Sequence, residues 1–255
     1  MLRQIGPIAY YTMLEAVRNR LIWLIVVVAL VAVGLSGFLD SLAITESVQI
    51  QAALIASFAR LAVVFILATF VVTSMTREAN DKGLELVLAL PLPRAVYLAG
   101  KLVGFGGVAL LPALLLGLLM LLFAPASQVA LWTVSLLCEL WIAAGFSLLC
   151  VLTFRNVMSA LAASMAFYLG ARALASFQLM GMAQASDGRA SHKVIASVFD
   201  VLGAILPRLD QFTQTDWLVY HTGTLASLPA ILIQTALCMA VVAGAALFDL
   251  YRKPI

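Results

Sequence analysis

Long apolar runs separated by short polar segments dominate the pattern of this chain. Six runs reach about 20 mostly apolar residues, the length a helix needs to cross the hydrocarbon core of a bilayer. The predicted transmembrane spans cover residues 21–39, 53–75, 102–123, 129–154, 157–177 and 225–247. Because unpaired backbone amides are too costly in lipid, each span must be helical. The pattern predicts an all-α membrane protein with one domain over residues 1–255.

The segment before the first span has a different pattern. Residues 1–20 place apolar side chains such as Ile8 on one face at helical spacing, with charged side chains such as Arg18 on the other. This pattern predicts an N-terminal amphipathic helix that lies in the membrane interface. We expect this helix to break at Gly6 and Pro7, because proline interrupts the hydrogen-bond ladder of a helix.

The third span is rich in glycine and contains Pro112. These residues favour either a kink or close packing against a neighbouring helix, although glycine and proline are also common in membrane helices without either role. The glycines concerned are Gly104, Gly106, Gly107 and Gly117. Aromatic residues near the span ends predict two interfacial belts. The outer belt would contain Trp132, Trp217 and Tyr220, and the inner belt Trp23 and Tyr251.

Composition excludes a soluble globular protein. Apolar residues make up 64% of the chain and charged residues 11%, against roughly 45–50% and 25% in soluble domains. A soluble chain of this size lacks the polar groups to cover so much apolar surface. The formal net charge of +3 is too small to indicate a nucleic acid partner.

The distribution of lysine and arginine predicts the orientation. Most of the 15 basic residues lie on the side that holds both termini. They are Arg3, Arg18, Arg20, Arg77, Lys82, Arg94, Lys101, Arg155, Arg252 and Lys253. Positive charge accumulates on the cytoplasmic side of membrane proteins. Both termini and residues 76–101 are therefore predicted to be cytoplasmic, and residues 178–224 form an extracytoplasmic loop.

Few residues point to catalysis or to a metal. The three cysteines lie inside apolar runs without the spacing of a disulfide framework or zinc site. The two histidines lie outside the spans, and no HExxH or Ser/His/Asp pattern is present. Met180, Met182 and His192 carry copper-type ligands, but methionines at the end of a span usually pack. We predict no catalytic residue, no metal site and no enzymatic activity.

The most informative segment lies between the second and third spans and reads TREANDKGLELVLALPLPRAVYLAGK over residues 76–101. Gly83 interrupts a charged stretch, and the leucine-rich residues 84–90 then predict a helix too short to span. Pro91 and Pro93 end it. Such a helix either docks in a groove of a soluble partner or rests on the lipid interface as a connector.

This segment resembles the cytoplasmic loop of ABC-2-type transporter permeases, in its charged stretch, glycine, leucine-rich helix, Pro-x-x-Arg step and closing Lys101. The charged residues that precede the first span, including Glu15 and Arg18, and residues 206–212 also resemble the family. The resemblance implies that residues 84–90 form a coupling helix, which transmits the motion of an ATPase. The implied ATPase-coupling residues are Glu78, Lys82, Gly83, Glu85, Leu88, Pro91 and Arg94.

The resemblance also implies partners and a location. The chain would be the membrane-spanning subunit of an ATP-driven exporter in the bacterial cytoplasmic (inner) membrane. It would pair with a second copy or a homologous permease, and with two copies of an ABC ATPase. The chain has no GxxxxGK[ST] phosphate loop. ATP and magnesium would therefore bind to the partner ATPase, and this chain would hold no cofactor.

Three charged residues fall inside the spans, where a charge is costly and often functional. Glu139 lies near the middle of the fourth span, and Arg172 and Arg60 lie in the outer halves of the fifth and second. A Glu139–Arg172 contact between neighbouring helices is within reach. Such a pair could fix helix register, contact a substrate or gate, or relay protons; of these, we favour a structural pair.

Three other functional classes compete with the exporter. One of them, an intramembrane enzyme, is disfavoured because no catalytic pattern is present. A secondary transporter or channel would work without an ATPase, and such proteins often contain inverted repeats; none is evident between residues 1–125 and 126–255. A membrane scaffold without transport activity is the third rival. No residue pattern singles out a transported substrate.

Overall fold

The computed structural model describes residues 2–42, 47–81, 93–154, 156–185 and 206–252. All regular elements in these residues are helical. The helices are α1 (Leu2–Arg18), α2 (Leu21–Leu42), α3 (Ser47–Asn80), α4 (Arg94–Met120), α5 (Ala126–Thr153), α6 (Val157–Ala185), α7 (Thr215–Val219) and α8 (Leu228–Arg252). Short 3-10 turns occupy Leu209–Gln211 and Leu225–Ser227. We call the side of the bundle at Ala126 the outer side and the opposite side the inner side, following the predicted orientation.

Five helices are long and apolar enough to cross a membrane, namely α3, α4, α5, α6 and α8. Helices α1 and α2 meet this criterion together, as a pair bent by 54°. The prediction of a helical, multi-pass membrane protein is therefore confirmed, with five or six spanning helices. The helices extend beyond several predicted spans: α4 begins at Arg94 and α6 ends at Ala185. The predicted coupling helix at residues 84–90 lies outside the described residues.

Helix α1 packs along α4. Ideal Cβ atoms on Gly100 and Gly104 would lie 2.8 Å from Ile8 Cβ and 2.7 Å from Thr12 Cβ, so only glycine permits this approach. Close packing of the glycine-rich third span is thus confirmed. The expected break at Gly6-Pro7 is wrong, because α1 continues through Pro7. Proline there removes one backbone hydrogen bond near the helix start, and packing against α4 supports the turns that follow.

Helix α5 is the centre of the bundle and contacts α3, α4, α6 and α8. Of the 18 consecutive residues that make α5 most apolar, 67% are buried inside the protein. The corresponding fraction is 22% for the segment Leu225–Arg252, which contains α8. Trp132 is 0% exposed and Trp217 4% exposed. Their predicted place in a lipid-facing belt is wrong, because neighbouring elements cover both rings. Tyr220, Trp23 and Tyr251 are exposed, as a belt requires.

Residues 206–224, here called the re-entrant segment, fold inward from the outer side. Leu209, Phe212 and Leu218 are almost completely buried, and α7 contacts α3 and α5. The Gln128 side chain accepts a hydrogen bond from Gly223 N at 3.1 Å and donates one to Gly223 O at 3.2 Å. Irregular backbone is stable at membrane depth only where protein surrounds it. The described end of the predicted extracytoplasmic loop is therefore part of the core.

Candidate functional site

Polar side chains meet inside the bundle around Glu139, which is 0% exposed. At a rise of 1.5 Å per residue, about 20 Å of helix separates Glu139 from the outer end of α5. The Tyr168 hydroxyl of α6 donates a hydrogen bond to Glu139 Oε1 at 2.8 Å. The Thr213 hydroxyl of the re-entrant segment donates another to Glu139 Oε2. The buried carboxylate is thus bound from two directions.

The guanidinium of Arg172 connects Glu139 to the re-entrant segment. Arg172 Nη1 lies 3.5 Å from Glu139 Oε1, which confirms the contact predicted from the sequence. The same nitrogen donates hydrogen bonds to the carbonyl oxygens of Leu209 at 2.5 Å and Phe212 at 2.8 Å. Arg172 therefore binds two peptide carbonyls of the re-entrant segment in addition to pairing with the carboxylate. Leu209 O also accepts the Phe212 amide at 3.2 Å.

Arg60 of α3 binds the same segment from another side. Its Nη1 donates hydrogen bonds to Thr213 O at 2.9 Å and to Thr213 Oγ1 at 3.2 Å. Thr213 N donates to Ser135 Oγ at 2.9 Å. Thr213 has a φ of 43°, a left-handed conformation that costs about 1–3 kcal/mol for such a residue. Bonds to its amide, carbonyl and hydroxyl hold this residue in place.

We call this group the outer cluster. It comprises Glu139, Arg172, Arg60, Thr213, Tyr168 and Ser135. When Glu139, Arg172 and Arg60 are all charged, the two arginines exceed the single carboxylate by one positive charge, and carbonyl oxygens of the re-entrant segment face that excess. The Arg60 Nε atom is buried without a hydrogen-bond partner among the described residues. The arrangement joins α3, α5, α6 and the re-entrant segment.

The sequence identified the charged members of the outer cluster but missed the others. Ser135 precedes Glu139 by one helical turn, and Tyr168 stands in the same relation to Arg172. Helical spacing could have found both, because residues four apart share a face. Thr213 carries no comparable signal, since its position depends on how the re-entrant segment folds back.

The inner cluster forms where the inner ends of α3 and α4 meet α1. Lys101 Nζ lies 2.5 Å from Glu78 Oε2, and the Tyr97 hydroxyl donates to Glu78 Oε1 at 3.0 Å. Nearby, the Ser74 hydroxyl donates to Glu15 Oε2 at 2.8 Å. The predicted coupling residue Glu78 therefore ties α3 to α4, and Glu15 ties α1 to α3.

Arg94 extends this network to α8. Its Nη1 donates a hydrogen bond to Leu250 O at 2.7 Å, and its guanidinium carbon lies 5.5 Å from the centre of the Tyr251 ring. Arg94 thus binds the last turn of α8, where carbonyls lack helical partners. The other predicted coupling residues lie outside the described residues. They are Lys82, Gly83, Glu85, Leu88 and Pro91.

No group of three or more His, Cys, Asp and Glu side chains in the described part of the chain is arranged to hold a metal ion. His192 lies outside that part, and His221 is exposed. No protein-family model matches the chain, and no curated protein matches it.

Proposed function

We propose that this chain is the membrane-spanning permease subunit of an ATP-driven exporter of the ABC-2 type. It would form the translocation pathway as a dimer in the bacterial inner membrane, with both termini cytoplasmic. Two separate ATPase subunits would bind ATP and magnesium. The proposal starts from the resemblance of residues 76–101 to the coupling loop of that family.

One observation carries the proposal further: polar contacts join the inner ends of the two helices that residues 82–92 connect to the inner ends of two more helices. Residues 82–92 connect α3 to α4. Glu78 links these two helices through Lys101, Glu15 adds α1, and Arg94 adds α8. A displacement applied to residues 82–92 would therefore reach all four helices through short polar contacts, as coupling to an ATPase requires.

Co-purification with the ATPases encoded beside this chain tests the proposal. We expect one of them to form a complex with the permease, and we expect Glu85→Lys and Leu88→Asp to abolish both this complex and permease-dependent ATP hydrolysis. A charge reversal or an apolar-to-charged change in a docking helix removes its complementarity to the groove.

Asp216→Lys is the matched control, because Asp216 is exposed on the outer side of the bundle. It should leave the complex intact. The proposal fails if no ATPase binds the wild-type chain, or if the coupling variants bind and stimulate the ATPase as the control does.

The buried carboxylate of Glu139 favours a second candidate, a secondary transporter or channel without an ATPase, because intramembrane carboxylates often serve ion-coupled transport. Reconstituted vesicles distinguish the two. Substrate movement that needs ATP and the partner supports the exporter, whereas movement driven by an ion gradient in the chain alone supports the alternative.

A further inference from the structure

Two cavities adjoin at the bend between α1 and α2. The first has a volume of about 380 Å³ and a polar lining that includes Arg18, Asn19 and Arg77. The second has a volume of about 420 Å³ and runs between α2 and α3, past Leu24 and Phe65. Asn19 and Arg77 line both cavities. Together they form a groove with a charged mouth and an apolar body.

The mouth carries unpaired positive charge. Arg18 and Arg77 are both exposed, and neither makes an ion pair within the described residues. Glu15 also lines the mouth, where its carboxylate accepts the Ser74 hydroxyl. Arg20, also exposed, lies beside Asn19 at the bend. Two arginines and one carboxylate therefore line the mouth. Arg77 also lines a neighbouring cavity together with Asp81 and with the ion pair of Glu78 and Lys101. The excess of arginine at the mouth favours an anionic group, and basic pockets between membrane helices bind anionic lipid headgroups.

The body of the groove suits a hydrocarbon chain. Leu24 and Phe65 are 54% and 48% exposed, so apolar surface faces the groove and the surrounding membrane. The Thr69 and Thr73 hydroxyls donate to the carbonyl oxygens of Phe65 at 2.8 Å and Thr69 at 2.7 Å in their own helix. The threonines therefore offer no free donor to a polar ligand.

The length of the groove matches one leaflet. The 12 residue steps from Phe65 to Arg77 along α3 correspond to about 18 Å, and half of a hydrocarbon core is about 15 Å. We propose that this groove binds one anionic phospholipid of the inner-side leaflet, with its phosphate at Arg18 and Arg77 and an acyl chain between α2 and α3. The proposal is independent of the exporter function.

Native mass spectrometry of the purified, delipidated full chain tests the proposal. Phosphatidylglycerol and phosphatidylcholine with identical acyl chains are added back separately, and glycerol phosphate serves as a headgroup without chains. We expect one phosphatidylglycerol to bind preferentially. Phosphatidylcholine should bind more weakly, because its headgroup carries no net negative charge for the arginines. Glycerol phosphate should not compete, because the acyl chain contributes much of the affinity.

Charge variants locate the site. Arg18→Gln and Arg77→Gln should each weaken phosphatidylglycerol binding about fivefold, the equivalent of one basic residue near an anionic lipid. Arg18→Lys and Arg77→Lys keep the charge and should retain most of the binding, which also shows that the groove tolerates substitution. Arg252→Gln removes an exposed arginine of α8 that lines neither cavity, and should bind like the wild type.

Three results would overturn the proposal. Equal binding of the two phospholipids would show that charge does not select the ligand. Equal loss in Arg252→Gln would show that general surface charge is responsible. Competition by glycerol phosphate would show a simple anion site. None of these results depends on an ATPase, so failure here leaves the exporter proposal untouched.

Discussion

The outer and inner clusters contain similar charged residues, but these residues bind different kinds of partner. In the outer cluster, Arg172 and Arg60 bind mainly to backbone carbonyls of the re-entrant segment. In the inner cluster, Glu78 and Lys101 bind side chain to side chain between helices. The outer carboxylate is completely buried, whereas the Glu78 side chain is 21% exposed.

This difference reflects what each cluster must stabilise. Within a helix the backbone amides bond to one another, so the contact of Glu78 with Lys101 needs only complementary side chains. An irregular segment brings unpaired carbonyls to membrane depth, where each one needs a donor. Arginine suits that task because its guanidinium presents five donors in a fixed plane. The buried outer cluster should therefore matter more for stability, and the partly exposed inner cluster should respond more to solvent.

The largest expected effect is at Glu139. Glu139→Ala would leave two arginines at membrane depth without their carboxylate, and we expect the free energy of unfolding to fall by about 3–5 kcal/mol. Denaturant titration in detergent, followed by tryptophan fluorescence, measures this. Ser147→Ala on the same helix is the control, since that buried hydroxyl bonds only its own helix at Ala143 O. Equal losses in the two variants would contradict a stabilising outer cluster.

A double-mutant cycle sharpens the assignment of the Glu139–Arg172 pair. We expect Glu139→Gln and Arg172→Gln to destabilise non-additively, with a coupling energy of about 0.5–3 kcal/mol, because the two groups share one hydrogen-bond network. The same unfolding titration on the two single variants and the double variant gives this energy. Additive losses would mean that Arg172 acts through the carbonyls of the re-entrant segment alone.

The smallest expected effect is at the inner cluster. Glu78→Gln should lower the free energy of unfolding by about 1 kcal/mol, because a partly exposed ion pair contributes little. This loss should shrink at high salt, where the screening length falls to about 3 Å, whereas the loss in Glu139→Ala should stay constant. Unfolding titrations at low and high ionic strength make the comparison. A salt-independent effect at Glu78 would show that the two clusters have the same electrostatic environment.

Features that follow from helical geometry were predictable from the sequence, whereas the packing of irregular segments against the helices was not. The length of the apolar runs predicted the spanning helices, and the depth of each residue along its span placed Glu139 within reach of Arg172. The outer tryptophans show the limit. Trp132 and Trp217 lie where an aromatic belt is expected, yet both are buried. Whether such a side chain is buried depends on which elements pack against it, and the hydropathy of a span does not show which elements those are.

The sequence by itself determined that this chain is a helical, multi-pass membrane protein, because only lipid accommodates its apolar runs and only helices satisfy their backbone there. The tertiary structure alone decided that residues 206–224 turn back into the bundle and place Thr213 between Glu139 and Arg60. That contact joins residues far apart in the chain. Buried arginines and buried carbonyl oxygens are each costly without a partner. Folding of the re-entrant segment onto α3 and α6 gives both groups their partners.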